Sequence, residues 1–140
     1  MSFSKFHEEC GIFGIYGDAD IEPARAVYLG LYALQHRGQE SCGIAVSDMG
    51  VIDFHKDMGL VGEVFNENSL SKLKGQIAIG HVRYSTTGNA MAENSQPTVL
   101  RYAKGRRAIA HNGSIVNAKE IRDSLAESGA MFQTTADSQL

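Results

Sequence analysis

Cys10 heads a short apolar run, Cys10-Gly11-Ile12-Phe13-Gly14-Ile15. A free cysteine is commonly a small buried hydrophobe. Given a base, its thiolate is a nucleophile. No histidine follows at a spacing that marks a Cys-His pair. A different base would arise if the chain were cut before Cys10. The freed α-amine would sit two carbons from the sulfur, with a pKa of about 8, so about a tenth of it is neutral at pH 7. Three polar clusters lie where apolar runs end: Gln35-His36-Arg37-Gly38-Gln39-Glu40-Ser41, Gly80-His81-Val82-Arg83-Tyr84-Ser85-Thr86-Thr87-Gly88, and His111-Asn112-Gly113. Strand ends are favoured places for sites. Arginine there suits a carboxylate through its two-pronged fork. An Asn amide followed by a Gly N–H supplies two donors at one point, the parts of an oxyanion hole. Each cluster also has a plainer reading. Arg37 can close a helix, Arg83 can pair with a surface acid, and Asn112-Gly113 can be only a turn.

The elements that must position these residues are legible in outline. Cys10 to Tyr16 reads as a buried strand closed by Gly17-Asp18. Asp20 predicts the cap of a helix starting near Ile21, with Pro23 in its first turn. Ala24, Val27, Tyr28, Leu31 and Leu34 form its apolar stripe, and Gln35-His36-Arg37-Gly38 its end. Ser41–Ser47 and Val51–Lys56 read as a hairpin across Asp48-Met49-Gly50. Leu60 to Leu73 fits a short helix and turns, Gln76 to Arg83 a strand, and Tyr84 to Pro97 a polar loop. Thr98–Tyr102 and Arg107–His111 predict a second hairpin across Lys104-Gly105. Asn117 with Glu120 predicts the cap of a helix over 118–128, ended by Gly129, before a strand from Met131 to Thr135. Hairpins with helices between them indicate a mixed α/β layer fold rather than a regular βαβ alternation.

Composition narrows the class. The chain has 140 residues, 43% hydrophobic and 21% charged, which is the size and balance of one globular domain. Thirteen basic against sixteen acidic side chains give a net charge of −3, which speaks against nucleic acid as a partner. The basic group Arg101, Lys104, Arg106 and Arg107 reads as a solvated hairpin tip. No apolar run reaches the roughly 18–20 residues of a membrane helix, and the first nine residues hold no signal core. Two cysteines make no disulfide framework, and the expectation is a cytoplasmic chain with reduced thiols. Nothing in the spacing of Cys10, Cys42, His81 and His111 asks for a metal. Fifteen residues are glycine, above the average of about 7%. Alone, that reads as many tight turns.

Four blocks occur in order: Cys10-Gly11-Ile12-Phe13-Gly14-Ile15, Leu34-Gln35-His36-Arg37-Gly38-Gln39-Glu40-Ser41-Cys42-Gly43-Ile44-Ala45, Gly80-His81-Val82-Arg83-Tyr84-Ser85-Thr86 and His111-Asn112-Gly113. Together they closely resemble the N-terminal glutaminase domain of the amidophosphoribosyltransferase family, a class II glutamine amidotransferase domain. A weaker fifth block spans Thr134 to Gln139. The resemblance implies an α+β, N-terminal-nucleophile hydrolase fold, four layers αββα with two antiparallel sheets, here truncated at the C-terminal side. It implies that residues 1–9 are a propeptide and that 10–140 are a partial glutaminase domain, with the phosphoribosyltransferase domain absent. Cys10 resembles the mature N-terminal nucleophile, whose own amine is the base. Asn112 and Gly113 resemble the oxyanion donors, and Arg83 the clamp on the substrate carboxylate. Asp137 resembles the acid for the substrate ammonium, Thr86 a neighbouring polar contact, and Arg37 an organiser near the nucleophile.

The implied activity is glutamine hydrolysis to glutamate and ammonia. The ammonia would serve phosphoribosylamine synthesis from phosphoribosyl pyrophosphate, the first step of de novo purine biosynthesis. The implied cofactors, magnesium and in some members an iron–sulfur cluster, belong to the missing part, with none in this chain. The family enzyme is expected to be a homo-oligomer with neither membrane nor nucleic acid as partner. The pattern departs from the family at Ala136, usually Ser or Thr, and at Gln139, usually Glu. The glucosamine-phosphate synthase type fits less well. Its cysteine directly follows the initiator Met, and it has Tyr-Arg-Gly-Tyr-Asp where this chain has Gln35-His36-Arg37-Gly38-Gln39-Glu40. A truncated, non-catalytic relic is the other alternative. With residues 1–9 attached, the chain alone is expected to be inactive.

Overall fold

The structure is a computed structural model and describes residues 10–37, 40–84, 92–132, 134–135 and 137–140. Among them are six strands, β1 (Cys10–Tyr16), β2 (Ser41–Asp48), β3 (Val51–Met58), β4 (Ile77–Arg83), β5 (Thr98–Tyr102) and β6 (Gly105–Ile109). The helices are α1 (Pro23–Leu34), α2 (Val61–Val64), α3 (Glu67–Lys72) and α4 (Ala118–Glu127). Strands β1-β4-β2-β3 form one four-stranded sheet in that order, with every neighbouring pair antiparallel. β5 and β6 pair as a separate antiparallel ribbon. This is an α+β arrangement with two antiparallel sheets, as the sequence implied.

Side chains alternate across a strand, so the register assigns each residue to a face. Gly11, Val82 and Cys42 share one cross-strand row, as do Phe13, Gly80 and Ile44. This face takes α1, whose Ala24, Val27 and Leu31 are buried in one cluster with Cys42, Ile44, Val46, Ala78 and Val82. A Cβ on Gly80 would overlap the Val27 and Leu31 side chains, so the missing side chain lets helix and sheet close. The opposite face carries Cys10, Ile12, His81, Arg83, Ser41 and Gly43.

Several local expectations needed correction. Asp20 does not cap α1. A 3-10 turn over Ala19–Ile21 comes first, and Glu22, at φ 46°, precedes Pro23 without a side-chain cap bond. Glu22 caps through its backbone instead, its carbonyl accepting the Arg25 and Ala26 N–H at 2.9 and 3.2 Å. A second 3-10 turn, Gln35–Arg37, prolongs α1. The region 60–73 holds two short helices. The second opens on a reciprocal cap in which Ser69 N–H donates to Asn66 Oδ1 at 3.0 Å and Asn66 N–H to Ser69 Oγ at 2.9 Å. Strand β6 is Gly105–Ile109, two residues earlier at each end than predicted. Asn117 caps α4 with its backbone, accepting from Ile121 N–H at 3.1 Å, and not with its side chain. The described residues of 131–135 form no strand. The hairpin tip is less free than predicted: Arg106 donates to the Ile52 carbonyl at 3.2 Å, and Arg107 stacks on Tyr102 at 4.7 Å. No helix among the described residues is long and apolar enough to cross a membrane.

Candidate active site

The site assembles at the end of the sheet where β1 begins and β4 finishes. Cys10 lies opposite Arg83, and Arg83 lies opposite Ser41 on its other side. All three side chains belong to the face turned away from α1. Cys10 and Arg83 are each partly exposed, and Ser41 is buried. The ladder continues one residue past β2, with Glu40 N–H donating to the Arg83 carbonyl at 2.9 Å. Among the described residues no carboxylate forms an ion pair with the Arg83 guanidinium.

The donors arrive from the far end of the chain. Asn112 Nδ2 donates to the Cys10 carbonyl at 3.3 Å. An amide nitrogen has two N–H groups, so this bond fixes the side chain beside Cys10 and leaves a second N–H to aim. Gly113 follows at φ +149°, where a Cβ would also meet the His111 ring at 3.3 Å. Glycine is therefore the residue that places this N–H here.

Two buried residues, His81 and Gln96, hold that segment, and half-buried Lys56 braces the backbone around Gln96. His81 is completely buried, and its Nε2 lies 3.1 Å from the His111 carbonyl. A carbonyl only accepts, so Nε2 carries the proton and donates. Burial chiefly pushes the His81 pKa down to about 4; the bond to His111 opposes this, and Arg83 and His111 nearby add to it. Its ring is neutral at physiological pH. From the other side, Gln96 Oε1 accepts the His111 N–H at 2.7 Å. Gln96, preceding Pro97 through a cis peptide bond, is itself seated on the sheet, because its carbonyl occupies the space a Cβ on Gly43 would need. Lys56 Nζ donates to the Ser95 carbonyl at 2.6 Å and the Pro97 carbonyl at 3.3 Å, and burial lowers its pKa.

Asp137 comes to the same loop. Its Oδ2 accepts the Ile115 N–H at 2.7 Å, two residues beyond Gly113. Gln139, one of the departures noted above, has its Oε1 accepting the Thr134 N–H at 2.9 Å. Of the residues expected from sequence, Cys10, Arg83, Asn112 and Gly113 are thus brought together, with Asp137 tethered to the same segment. Thr86 and residues 1–9, expected as a propeptide, lie outside the described residues, as does the side chain of Arg37, whose backbone closes the 3-10 turn after α1. His81 and Gln96 were missed as parts of the site. Alternation along Gly80-His81-Val82-Arg83 puts His81 on the Arg83 face, a signal that was available. Nothing local marks Gln96. Cys42 faces α1, opposite to His81, and no group of three or more His, Cys, Asp or Glu side chains among the described residues converges as metal ligands would.

Comparison with known proteins agrees with this geometry. Residues 66–140 match the family model described as a glutamine amidotransferase domain. An amidophosphoribosyltransferase from Synechocystis is 50% identical over 137 residues, 97% of this chain and 28% of the relative. The solved structure of glutamine phosphoribosylpyrophosphate amidotransferase from B. subtilis, complexed with ADP and GMP, superposes with a TM-score of 0.81 at 45% identity, over 91% of this chain and 27% of that one. A structure described as the allosteric regulatory enzyme of purine biosynthesis gives a TM-score of 0.85 at 46% identity, with the same coverage. The chain spans less than a third of the length of these relatives. A thiol, a guanidinium and paired amide donors at one sheet end, on the fold of these N-terminal-nucleophile hydrolases, lead to one conclusion: the chain belongs to the glutamine amidotransferase domain family.

Proposed function

We propose that this domain hydrolyses glutamine to glutamate and ammonia, with Cys10 as nucleophile after cleavage of the Glu9–Cys10 bond removes residues 1–9 as a propeptide. The observation that carries the reading is the Asn112 bond to Cys10 beside the Cys10–Arg83 pairing. The Cys10 amine takes the thiol proton, and the sulfur attacks the side-chain amide carbon of glutamine. Negative charge develops on the amide oxygen, where the free N–H of Asn112 and the N–H of Gly113 receive it. The carbon–nitrogen bond breaks, and ammonia leaves with the proton from the Cys10 ammonium. Water then attacks the thioester, releasing glutamate and restoring the thiol. Arg83 clamps the substrate carboxylate, and Asp137 takes its ammonium through the oxygen not engaged by Ile115. Thr86 and Arg37 are further contacts of this pocket.

The ammonia passes to phosphoribosyl pyrophosphate, forming phosphoribosylamine for purine biosynthesis. That step, its magnesium and, where one exists, an iron–sulfur cluster are assigned to a phosphoribosyltransferase part outside residues 1–140. The protein acts in the cytoplasm as a homo-oligomer, away from membranes and nucleic acid. Mass spectrometry tests the core of this reading. Expected are loss of residues 1–9 and a single adduct of a glutamine-analogue electrophile on Cys10, with both abolished in Cys10→Ala. A folded chain that stays intact and unlabelled overturns it.

A further inference from the structure

The paired donors sit on an irregular segment, whereas catalysis by such donors demands placement to a fraction of an ångström. Immediately before the donors, the segment is gripped from both sides at His111. His111 offers its carbonyl to His81 Nε2 at 3.1 Å and its N–H to Gln96 Oε1 at 2.7 Å. His81 projects from the middle strand pair of the sheet, fully buried, and Gln96 is 8% exposed on the segment seated over Gly43. The residue immediately after this grip is Asn112.

We propose that His81 and Gln96 are positioning residues, which hold the His111 peptide from both sides and thereby set Asn112 and Gly113 against Cys10. Neither touches substrate. The proposal rests on the oxyanion reading of Asn112 and Gly113. His81 acts only as the tautomer protonated on Nε2. Its Nδ1 is buried and meets no hydrogen-bond partner among the described residues, so the opposite tautomer would leave both the ring and the His111 carbonyl unsatisfied there. Burial keeps the ring neutral, so it holds a single proton, and its placement on Nε2 decides whether the His111 carbonyl has a donor. The hydrophobic face of the ring fills the same space in either tautomer. A packing role alone would therefore be indifferent to which nitrogen holds the proton.

The test uses the mature, full-length protein. His81→Leu removes the donor at similar volume, and His81→Gln keeps an N–H near the place of Nε2. Gln96→Met removes the acceptor, and Gln96→Glu keeps one. For glutamate release, His81→Leu and Gln96→Met are expected to lower kcat by up to about 100-fold, with KM for glutamine within about twofold of the parent. His81→Gln and Gln96→Glu are expected to recover most of that loss. If His81→Leu fails to fold, the Gln96 pair decides by the same criteria. Equal kcat in the donor-keeping and donor-lacking variants overturns the inference, and so does a loss confined to KM. Nitrogen-15 NMR of His81 supplies a second readout, in which a proton found on Nδ1 overturns the proposal. Asn112→Ala is measured alongside. Its unchanged kcat would sink the oxyanion reading and this inference with it. A normal loss in Asn112→Ala, beside full activity in His81→Leu, sinks the inference alone.

Discussion

The two thiols occupy opposite faces of one sheet and differ in what surrounds them. Burial, followed by the charges of Asp57 and Glu63, pushes Cys42 up to about 12, and its Sγ points at the Gly59 carbonyl 3.7 Å away. A thiol rather than a thiolate is a poor nucleophile. At pH 8, iodoacetamide should modify Cys10 in the folded chain and leave Cys42 unmodified until denaturant is added; peptide mapping that finds both labelled at similar rates contradicts this. At Asn112, replacement by Ala removes one of the two proposed oxyanion donors. It should cut kcat for glutamate release by about 10²–10³, or ~2.7–4 kcal/mol, with little change in KM. His81 makes a pH prediction. Its pKa is about 4 in the fold against 6.5 ordinarily. Between those values the unfolded chain binds the extra proton, so stability is lost as pH falls from about 6.5 towards 4, on the order of 3 kcal/mol in full. Urea melts of the parent and His81→Gln across that window check it, since the variant should lose less.

At the scale of elements, close approach is the controlling feature. Gly80 against α1 and Gly43 against the Gln96 carbonyl both sit where a Cβ has no room. Gly80→Ala should cost about 1–3 kcal/mol in denaturant unfolding, by overpacking the helix on the sheet. Gly43→Ala should displace Gln96 and so lower kcat as well as stability. Activity retained at the parent level in a folded Gly43→Ala protein would show that the 94–97 segment does not govern the site. Strands β2 and β4 and helix α1 were readable because their apolar residues recur at strand or helix spacing and face a real core. Strand β1 forms where expected but is not the buried strand its apolar run predicts, because at the edge of the sheet it leaves Ile12, Phe13 and Tyr16 exposed. Hairpin β2–β3 was readable from Met49-Gly50, both of which take the positive φ that a tight turn requires, 48° and 88°. The Met131–Thr135 strand failed for a physical reason. Its backbone is claimed by side chains, with Arg122 donating to the Thr134 carbonyl at 3.0 Å and Gln139 accepting its N–H. Such partners leave no trace in a local pattern. The same holds in the site: Cys10, Arg83 and Asn112 carry their chemistry in their residue types, whereas Gln96 acquires its role only through a contact with His111.

Taken whole, the molecule keeps one sheet face for its core and leaves apolar area on the other. Ile12, Tyr16, Phe54 and Ile77 all lie on the site face and are 42%, 78%, 43% and 47% exposed. Tyr16 and Ile77 pair directly across β1 and β4, and exposed apolar side chains side by side bind hydrophobic probes. The 140-residue chain should enhance anilinonaphthalene sulfonate fluorescence under native conditions, and the double substitution Tyr16→Ser, Ile77→Ser should reduce the signal without altering β1–β4 pairing; an unchanged signal would place the dye elsewhere. The bond between Asn112 and Cys10 joins residues 102 apart in sequence. A ribosome adds about 5–20 residues per second, so the thiol emerges seconds before its donors exist. Contacts of such separation also form late, because loop closure must precede them. Until then the cysteine has no partner for its chemistry. On the proposed glutaminase reading the arrangement works as a clock: the Asn112 and Gly113 donors are withheld from the first strand until the chain beyond residue 112 has come home.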